Sequence, residues 1–354
     1  VTQLLSGFDR ARVQPELVLL QRRGEFLDQL PADLRVYDLA HAGRVTVART
    51  LTRLAHLVRQ RRPEAVLSFQ RSVNLANVLV CRATAYAGKV VLGAQVNLTA
   101  SLRRARIRRL RTWCHRRLYR RADGVIACSG GVREDLVRAI GVPAARTRVI
   151  YNACDVERVR RLSRLEPDLA LEWNTPTIVT VGRLVRQKGL PVLLDAFAQV
   201  ARRRSCQLVM LGDGEERAAL ARQAARLGIA DRVVMPGFRR NPFAVMARGR
   251  AFVLSSLWEG FGTVLIEAMA CGVPVVSTDC PSGPREILAD GQAGVLVPPG
   301  DSGALASAIV QALEDEPLRD RLTRAAARRV EAFTTQAMVR GYEAALAEIL
   351  AEPR

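Results

Sequence analysis

Two carboxylates, Glu259 and Glu267, stand eight positions apart in the segment LSSLWEGFGTVLIEAMACGVPVV. Gly260, Phe261, Gly262 and Thr263 lie between them, where an apolar run gives way to a helical pattern opening near Thr263. Glycines allow a backbone to approach a ligand closely. A helix N-terminus offers free N–H groups and a positive dipole end, which suits a diphosphate. A carboxylate one turn into that helix can accept hydrogen bonds from sugar or ribose hydroxyls. The plain alternative is a surface glutamate and a helix-capping glutamate.

A second segment, TVGRLVRQKGLPVLLDAF, sets Gly182 and Arg183 five positions before Lys188 and Gly189. Two cations on one loop can clamp a diphosphate and neutralise charge on a leaving nucleotide. Lys188 is one of only two lysines in the chain, the other being Lys89. LVMLGDGEERAAL adds a Gly-Asp-Gly turn, and MPGFRRNPFAVMA adds Phe238 and Asn241 after an apolar run. An exposed aromatic there could carry a nucleobase; a core phenylalanine is the alternative.

These segments need a scaffold that lines them up. PELVLL, RVYDLA, AVLSFQ, KVVLGAQ, GVIACS and RVIYN read as strands, followed by TIVTVGR, CQLVMLG, RVVMPGF, AFVLSS, PVVSTD and GVLVPP. Helical patterns lie between them, as in PVLLDAFAQVARRR and EERAALARQAARLG. Strand–helix alternation at this spacing means βαβ units and parallel sheets. Two sets mean two Rossmann-like, doubly wound α/β domains, with ligands at the carboxyl ends of the strands. Every motif above follows an expected strand. Residues 156–175 lack a clear strand and are expected to be a linker.

The 354 residues carry 54 basic and 34 acidic side chains, a formal net charge of +20. Residues 1–165 hold 32 basic and 12 acidic residues, and the remainder 22 of each, so the whole excess lies in the N-terminal half. Such an asymmetry predicts an acidic partner: a phosphate-bearing acceptor, a membrane surface or nucleic acid. Only 5% of residues are aromatic and no nucleic-acid module is recognisable, so nucleic acid is not the expected partner. The seven cysteines form no CxxC pair and read as free thiols. No metal site is expected from them or from the three histidines. No run of uncharged apolar residues is long enough to be a transmembrane span. The expected location is cytoplasmic, with a peripheral position at the cytoplasmic membrane face as the membrane option.

Taken together, E-x7-E at Glu259 and Glu267 with GR-x4-KG upstream resembles the donor domain of family-4 GT-B glycosyltransferases. GVIACSGGVREDL, RVIYNACDVERV and AFTTQAMVRGYEAALAEIL are similar to that family's inter-domain and final segments. The resemblance implies an acceptor-side domain over 1–155, completed by a C-terminal helix at 334–354, and a donor domain over 176–333. It implies a nucleotide-sugar co-substrate, no cofactor, and transfer with retention without a metal. Arg183 and Lys188 would bind the diphosphate beside Gly182 and the backbone of Gly260, Phe261, Gly262 and Thr263. Glu267 would hold the ribose, Glu259 would touch the sugar, and Phe238 to Asn241 would line the base. The segment TDCPSGPREILADGQAGVLVPPGD is similar to members using UDP-N-acetylhexosamines, with UDP-hexose next. The implied acceptor is lipid-linked or a polysaccharide, in cell-envelope synthesis. A nucleotide-sugar epimerase and a non-catalytic nucleotide-sugar or polyanion binder are the rival readings.

Two departures from the family stand out. The chain opens on Val1 in a helical pattern, after the family's first strand and Gly-rich loop, and its natural start is expected upstream. Where many relatives carry a histidine, LGAQVNLTAS has Gln95, followed by Asn97, as acceptor-side candidates. Glutamine can bond a sugar but cannot be a general base. His41 and His115 are the alternatives. Finally, in LRRARIRRLRTWCHRRLYRR, Ile107, Leu110, Cys114 and Leu118 follow helical spacing, and this stripe is expected to pack into the core.

Overall fold

A computed structural model describes residues 1–22, 27–40, 46–103 and 107–353. The chain divides into two compact units, Val1–Ala153 with Thr335–Arg354, and Cys154–Thr334.

The second unit is built on six parallel strands: β7 (Thr177–Val181), β8 (Gln207–Leu211), β9 (Val233–Gly237), β10 (Ala251–Leu254), β11 (Val275–Thr278) and β12 (Val295–Val297). The first unit holds β1 (Glu16–Leu19), β2 (Arg35–Asp38), β3 (Ala65–Phe69), β4 (Lys89–Ala94), β5 (Gly124–Ala127) and β6 (Thr147–Val149). All twelve are the apolar runs picked out above. They form strands because runs rich in Val, Ile and Leu suit a sheet buried on both faces. β4, β5, β10 and β11 are buried at every residue.

In the second unit the spatial order is β12-β11-β10-β7-β8-β9. The chain starts in the middle at β7, winds out to β9, then returns to β10 and winds the other way. The strand order therefore reverses between β7 and β10, the place where doubly wound sheets bind ligands. The core beneath is apolar, with Ile178, Leu193, Phe197, Leu208, Met210, Val253 and Ile309 sealed from solvent.

In the first unit β3-β4-β5-β6 form one parallel sheet and β1-β2 another. Helix Thr335–Ala351 packs Met338, Val339, Tyr342, Ala345 and Ile349 onto Val91, Ile126 and Ile150. Its end is tied down by Lys89, which donates to the Glu352 carbonyl at 2.6 Å, and by Arg148, which pairs with Glu348 and Glu352. The C-terminal segment thus belongs to the N-terminal unit.

Two expectations need correction. Residues 156–175 are not all linker: Val156–Ser163 is a helix, with Asp155 accepting from the Arg158 amide at its start. It buries Val156 and Val159 against helices Pro242–Arg248 and Thr263–Ala270 of the second unit. Helix Arg108–Tyr119 also turns the other way from the expected stripe. His115 and Tyr119 are its buried residues, whereas Ile107 and Leu110 are more than half exposed and Cys114 and Leu118 lie between. Buried polar groups are tolerable when bonded. Tyr119 accepts from Asn74 Nδ2 at 2.9 Å, and His115 Nδ1 sits 2.7 Å from the Arg111 carbonyl.

Candidate active site

The carboxyl ends of β7 and β10 carry the two strongest motifs. After β7 the backbone passes Gly182 and Arg183 into a 3-10 turn, Arg186–Lys188, closed by Gly189. Gly189 has φ 59°, and a Cβ there would sit 2.2 Å from the Ser255 carbonyl. Glycine is what lets this turn lie against the end of β10. Ser255 Oγ donates to the Lys188 carbonyl at 2.8 Å, and the Leu257 amide donates to the Gln187 carbonyl at 2.8 Å. The two loops are thus stitched together at the reversal point.

Their side chains meet as well. Lys188 Nζ lies 2.6 Å from Glu259 Oε1, with the side chains 16% and 8% exposed. Ser256 Oγ donates to the same oxygen at 2.7 Å, and Gln187 Nε2 donates to Oε2 at 3.2 Å. Gln187 also donates to the Trp258 carbonyl at 3.0 Å. Ser256 is itself fixed in place, its carbonyl accepting from Thr278 Oγ1 at 2.6 Å. Glu259 is therefore a held anion that fixes a cation. Breaking such a buried pair is strongly destabilising, while keeping it holds the ammonium in place. Gln187 and Ser256 were not picked out from the sequence, although both adjoin residues that were.

Helix Thr263–Ala270 starts at Gly262, whose φ of 97° turns the chain into it. The Leu265 amide donates to the Gly262 carbonyl at 2.9 Å, while the earliest amides of a helix find no partner inside it. Phe261 is buried, its ring against Phe333 with centroids 5.6 Å apart, so this residue can offer a ligand its backbone but not its ring. Glu267 lies on the same helix, partly buried, its carbonyl accepting from the Cys271 amide at 3.0 Å and its carboxyl making no hydrogen bond to a described residue. Burial pushes its carboxyl up to about 7, partly offset by the Lys188 charge. A carboxylate kept from solvent and left without a donor is ready to accept one from a ligand. Arg183 is exposed, with no ion pair among the described residues. Gly182, Arg183 and Lys188 line a small cavity beside β7, β8 and β10.

The expected base-lining loop divides. Phe238 is 59% exposed after β9 and offers a flat apolar face. Asn241 does not face out in the same way: its Nδ2 donates to the Leu162 carbonyl at 3.0 Å, tying the loop to helix Val156–Ser163. The helix over 156–163 was not expected, so this tether was not legible.

In the first unit Gln95 lines a cavity of about 160 Å³ with Gln70, Arg71, Asn74, Leu98 and Tyr119. Gln95 Oε1 accepts from Asn152 Nδ2 at 2.9 Å. Gln70 has φ 71°, a conformation that costs roughly 1–3 kcal/mol in a non-glycine residue and clusters at functional sites. The Asn97 side chain is turned to its own helix, with Oδ1 accepting from the Ala100 amide at 2.9 Å. His115 is buried and bonded locally, and His41 lies outside the described residues. Among the described residues, no three His, Cys, Asp or Glu side chains come together as metal ligands. No disulfide joins the described cysteines, and burial pushes the Cys154, Cys271 and Cys280 thiols up to about 12.

Known proteins match this chain in both halves. Residues 164–329 match the family described as "Glycosyl transferases group 1", and residues 1–158 match "Glycosyltransferase Family 4". The chain belongs to the family-4 GT-B glycosyltransferases. This family-4 chain is 35% identical over 216 residues to a Campylobacter jejuni protein. That relative is the N-acetylgalactosamine-N,N'-diacetylbacillosaminyl-diphospho-undecaprenol 4-alpha-N-acetylgalactosaminyltransferase, and the match covers 61% of this chain and 58% of the relative. Alpha-D-kanosaminyltransferase of Streptomyces kanamyceticus is 32% identical over 223 residues, 61% of this chain and 57% of its own. The matches thus span a little over half the length of these curated relatives. The GT-B fold is shared with Anabaena Alr3699/HepE, crystallised with UDP-glucose. That likeness has a TM-score of 0.79 at 23% identity and covers 99% of this chain and 94% of that one. Sucrose-phosphate synthase from Thermosynechococcus elongatus has a TM-score of 0.78 at 21% identity, covering 95% and 89%.

Proposed function

We propose that the chain catalyses retaining transfer of a sugar from a nucleotide diphosphate, UDP-N-acetylhexosamine or UDP-hexose, to a lipid-linked or polysaccharide acceptor. The observation that carries this reading is the Lys188–Glu259 pair beside Glu267, where the strand order of the second unit reverses. Relatives whose names include transfer to diphospho-undecaprenol and lipopolysaccharide core synthesis support the acceptor class.

In this reading Lys188 and Arg183 meet the diphosphate, with the first amides of helix Thr263–Ala270 on its other oxygens. The Glu267 carboxylate accepts from the ribose hydroxyls, and Phe238 carries the base. Glu259 holds Lys188 and takes a sugar hydroxyl. The bond from the anomeric carbon to the phosphate oxygen breaks as the acceptor oxygen bonds the same face. The acceptor proton passes to the leaving phosphate. The chain positions the partners and stabilises charge, and no metal or cofactor is required. Gln95 and the cavity beside it would face the acceptor.

The test is product formation. Purified protein is incubated with UDP-N-acetylglucosamine, UDP-N-acetylgalactosamine, UDP-glucose or UDP-galactose and a polyprenyl-diphosphate sugar acceptor. Products are followed by mass spectrometry and anomeric proton NMR. An α-linked product from an α-linked donor supports the reading. An isomerised nucleotide sugar formed without acceptor would instead assign an epimerase.

A further inference from the structure

The cavity of about 160 Å³ in the first unit lies at the carboxyl ends of β3 and β4. Acceptors on its walls are taken up inside the protein. Gln95 Oε1 accepts from Asn152, which leaves the Gln95 amide nitrogen to donate. Asn74 Oδ1 accepts from Ser68 Oγ at 2.9 Å, and the Gly93 carbonyl accepts from Asn74 Nδ2 at 3.0 Å. The Ala94 carbonyl accepts from the Cys128 amide at 3.1 Å. Asn74 Nδ2 also donates to the buried Tyr119 hydroxyl, so that hydroxyl has its own proton to offer. Burial pushes it up to about 12, partly offset by the Asn74 bond and the Arg71 charge, and it stays a donor at neutral pH.

Arg71 adds a cation to this wall. It is partly buried, donates from Nη1 to Ser101 Oγ at 3.0 Å, and has no ion pair among the described residues. It opens helix Arg71–Ala83, which has no side-chain cap and no acidic residue in its first turn. Unpaired amides and the positive end of the helix dipole gather at such a start. No acidic residue lines the cavity, and none occurs in the sequence between Glu64 and Asp123. The walls thus offer donors and a charge, with few acceptors. A neutral sugar brings hydroxyls that donate as well as accept, and their protons would go unmet. An ionised oxyanion only accepts. A guanidinium set among neutral donors is the arrangement that binds one.

We propose that this cavity binds an oxyanion, a phosphate or a carboxylate, carried by the sugar acceptor, and that Arg71 and Tyr119 select it. The anion site stands on the first unit alone; assigning its occupant to an acceptor rests on the transfer reading above.

The test titrates the full chain with three probes, followed by ligand-observed NMR: N-acetylglucosamine 1-phosphate, glucuronic acid and the uncharged methyl N-acetylglucosaminide. Expected is binding of at least one charged probe, with the uncharged glycoside weaker by about tenfold or more. Arg71→Gln should lose about tenfold in affinity for the charged probe, and Arg71→Lys should keep part of it. Tyr119→Phe, in which Asn74 still holds Gly93, should lose about fivefold. Arg183→Ala should bind the charged probe like wild type, and Arg71→Gln should bind UDP like wild type. Binding of the phosphate probe alone assigns a phosphate-bearing acceptor, and binding of glucuronic acid alone a carboxylate-bearing one; either supports the proposal. Equal binding of the uncharged glycoside, or Arg71→Gln binding the charged probe like wild type, would overturn it. So would binding lost in Arg183→Ala and kept in Arg71→Gln, which assigns the probe to the donor site. Failure of UDP to bind wild type would contradict the donor reading, while the Arg71 dependence still decides the anion site.

Discussion

Glu267 ties the chemistry of the site to pH. Its carboxyl, pushed up to about 7 from an ordinary 4.5, keeps a proton in the folded chain that the unfolded chain has lost. Between about pH 4.5 and 7 the native state binds more protons, so stability falls as pH rises through that window. A ribose hydroxyl that donates to this group needs the carboxylate form. UDP affinity should therefore rise as pH passes through about 7, and Glu267→Gln should flatten that profile in calorimetric titrations. The Lys188–Glu259 pair makes a different prediction. Lys188→Ala leaves Glu259 buried without its cation and should cost about 3–5 kcal/mol in denaturant unfolding. Lys188→Met with Glu259→Gln, which buries no lone charge, should recover part of that loss. Gly189→Ala should cost about 1–3 kcal/mol from its left-handed backbone alone, and more from the contact with Ser255. These residues were legible one by one. The ion pair was not, because its partners are 71 positions apart and only the β7–β10 reversal joins them.

At the scale of elements, the strands could be read because buried parallel strands write themselves as continuous runs of Val, Ile and Leu. Helices were harder where the buried face carries polar side chains. The buried face of Arg108–Tyr119 is marked by His115 and Tyr119, which a search for aliphatic spacing passes over. Helix Val156–Ser163 is short and has only Val156 and Val159 as buried residues, a weak periodic signal, although Asp155 before them is a usable start signal. The terminal helix makes a testable claim. Deleting 335–354 strips the cover from Val91, Ile126 and Ile150 and frees Lys89 and Arg148. Limited proteolysis should then cut first within residues 1–153, while 154–334 resists digestion.

For the whole molecule, the sequence marks two doubly wound sheets and an uneven charge. The fold gives each a place. The neutral half holds the held cation, the raised carboxyl and the helix N-terminus. The basic half holds the Gln95 cavity and the exposed arginine helix. No described helix is long and apolar enough to cross a membrane. The central claim is that the second unit binds a nucleotide diphosphate at the β7–β10 reversal. Isothermal titration of UDP into wild type, Arg183→Ala and Glu267→Gln tests it most directly. Arg183 is exposed and the Glu267 carboxyl makes no hydrogen bond to a described residue, so both variants should stay folded. The account predicts binding to wild type and a loss of about tenfold or more in each variant, the value of one charge-assisted hydrogen bond. Absence of UDP binding to wild type, or equal binding to Glu267→Gln, would contradict it.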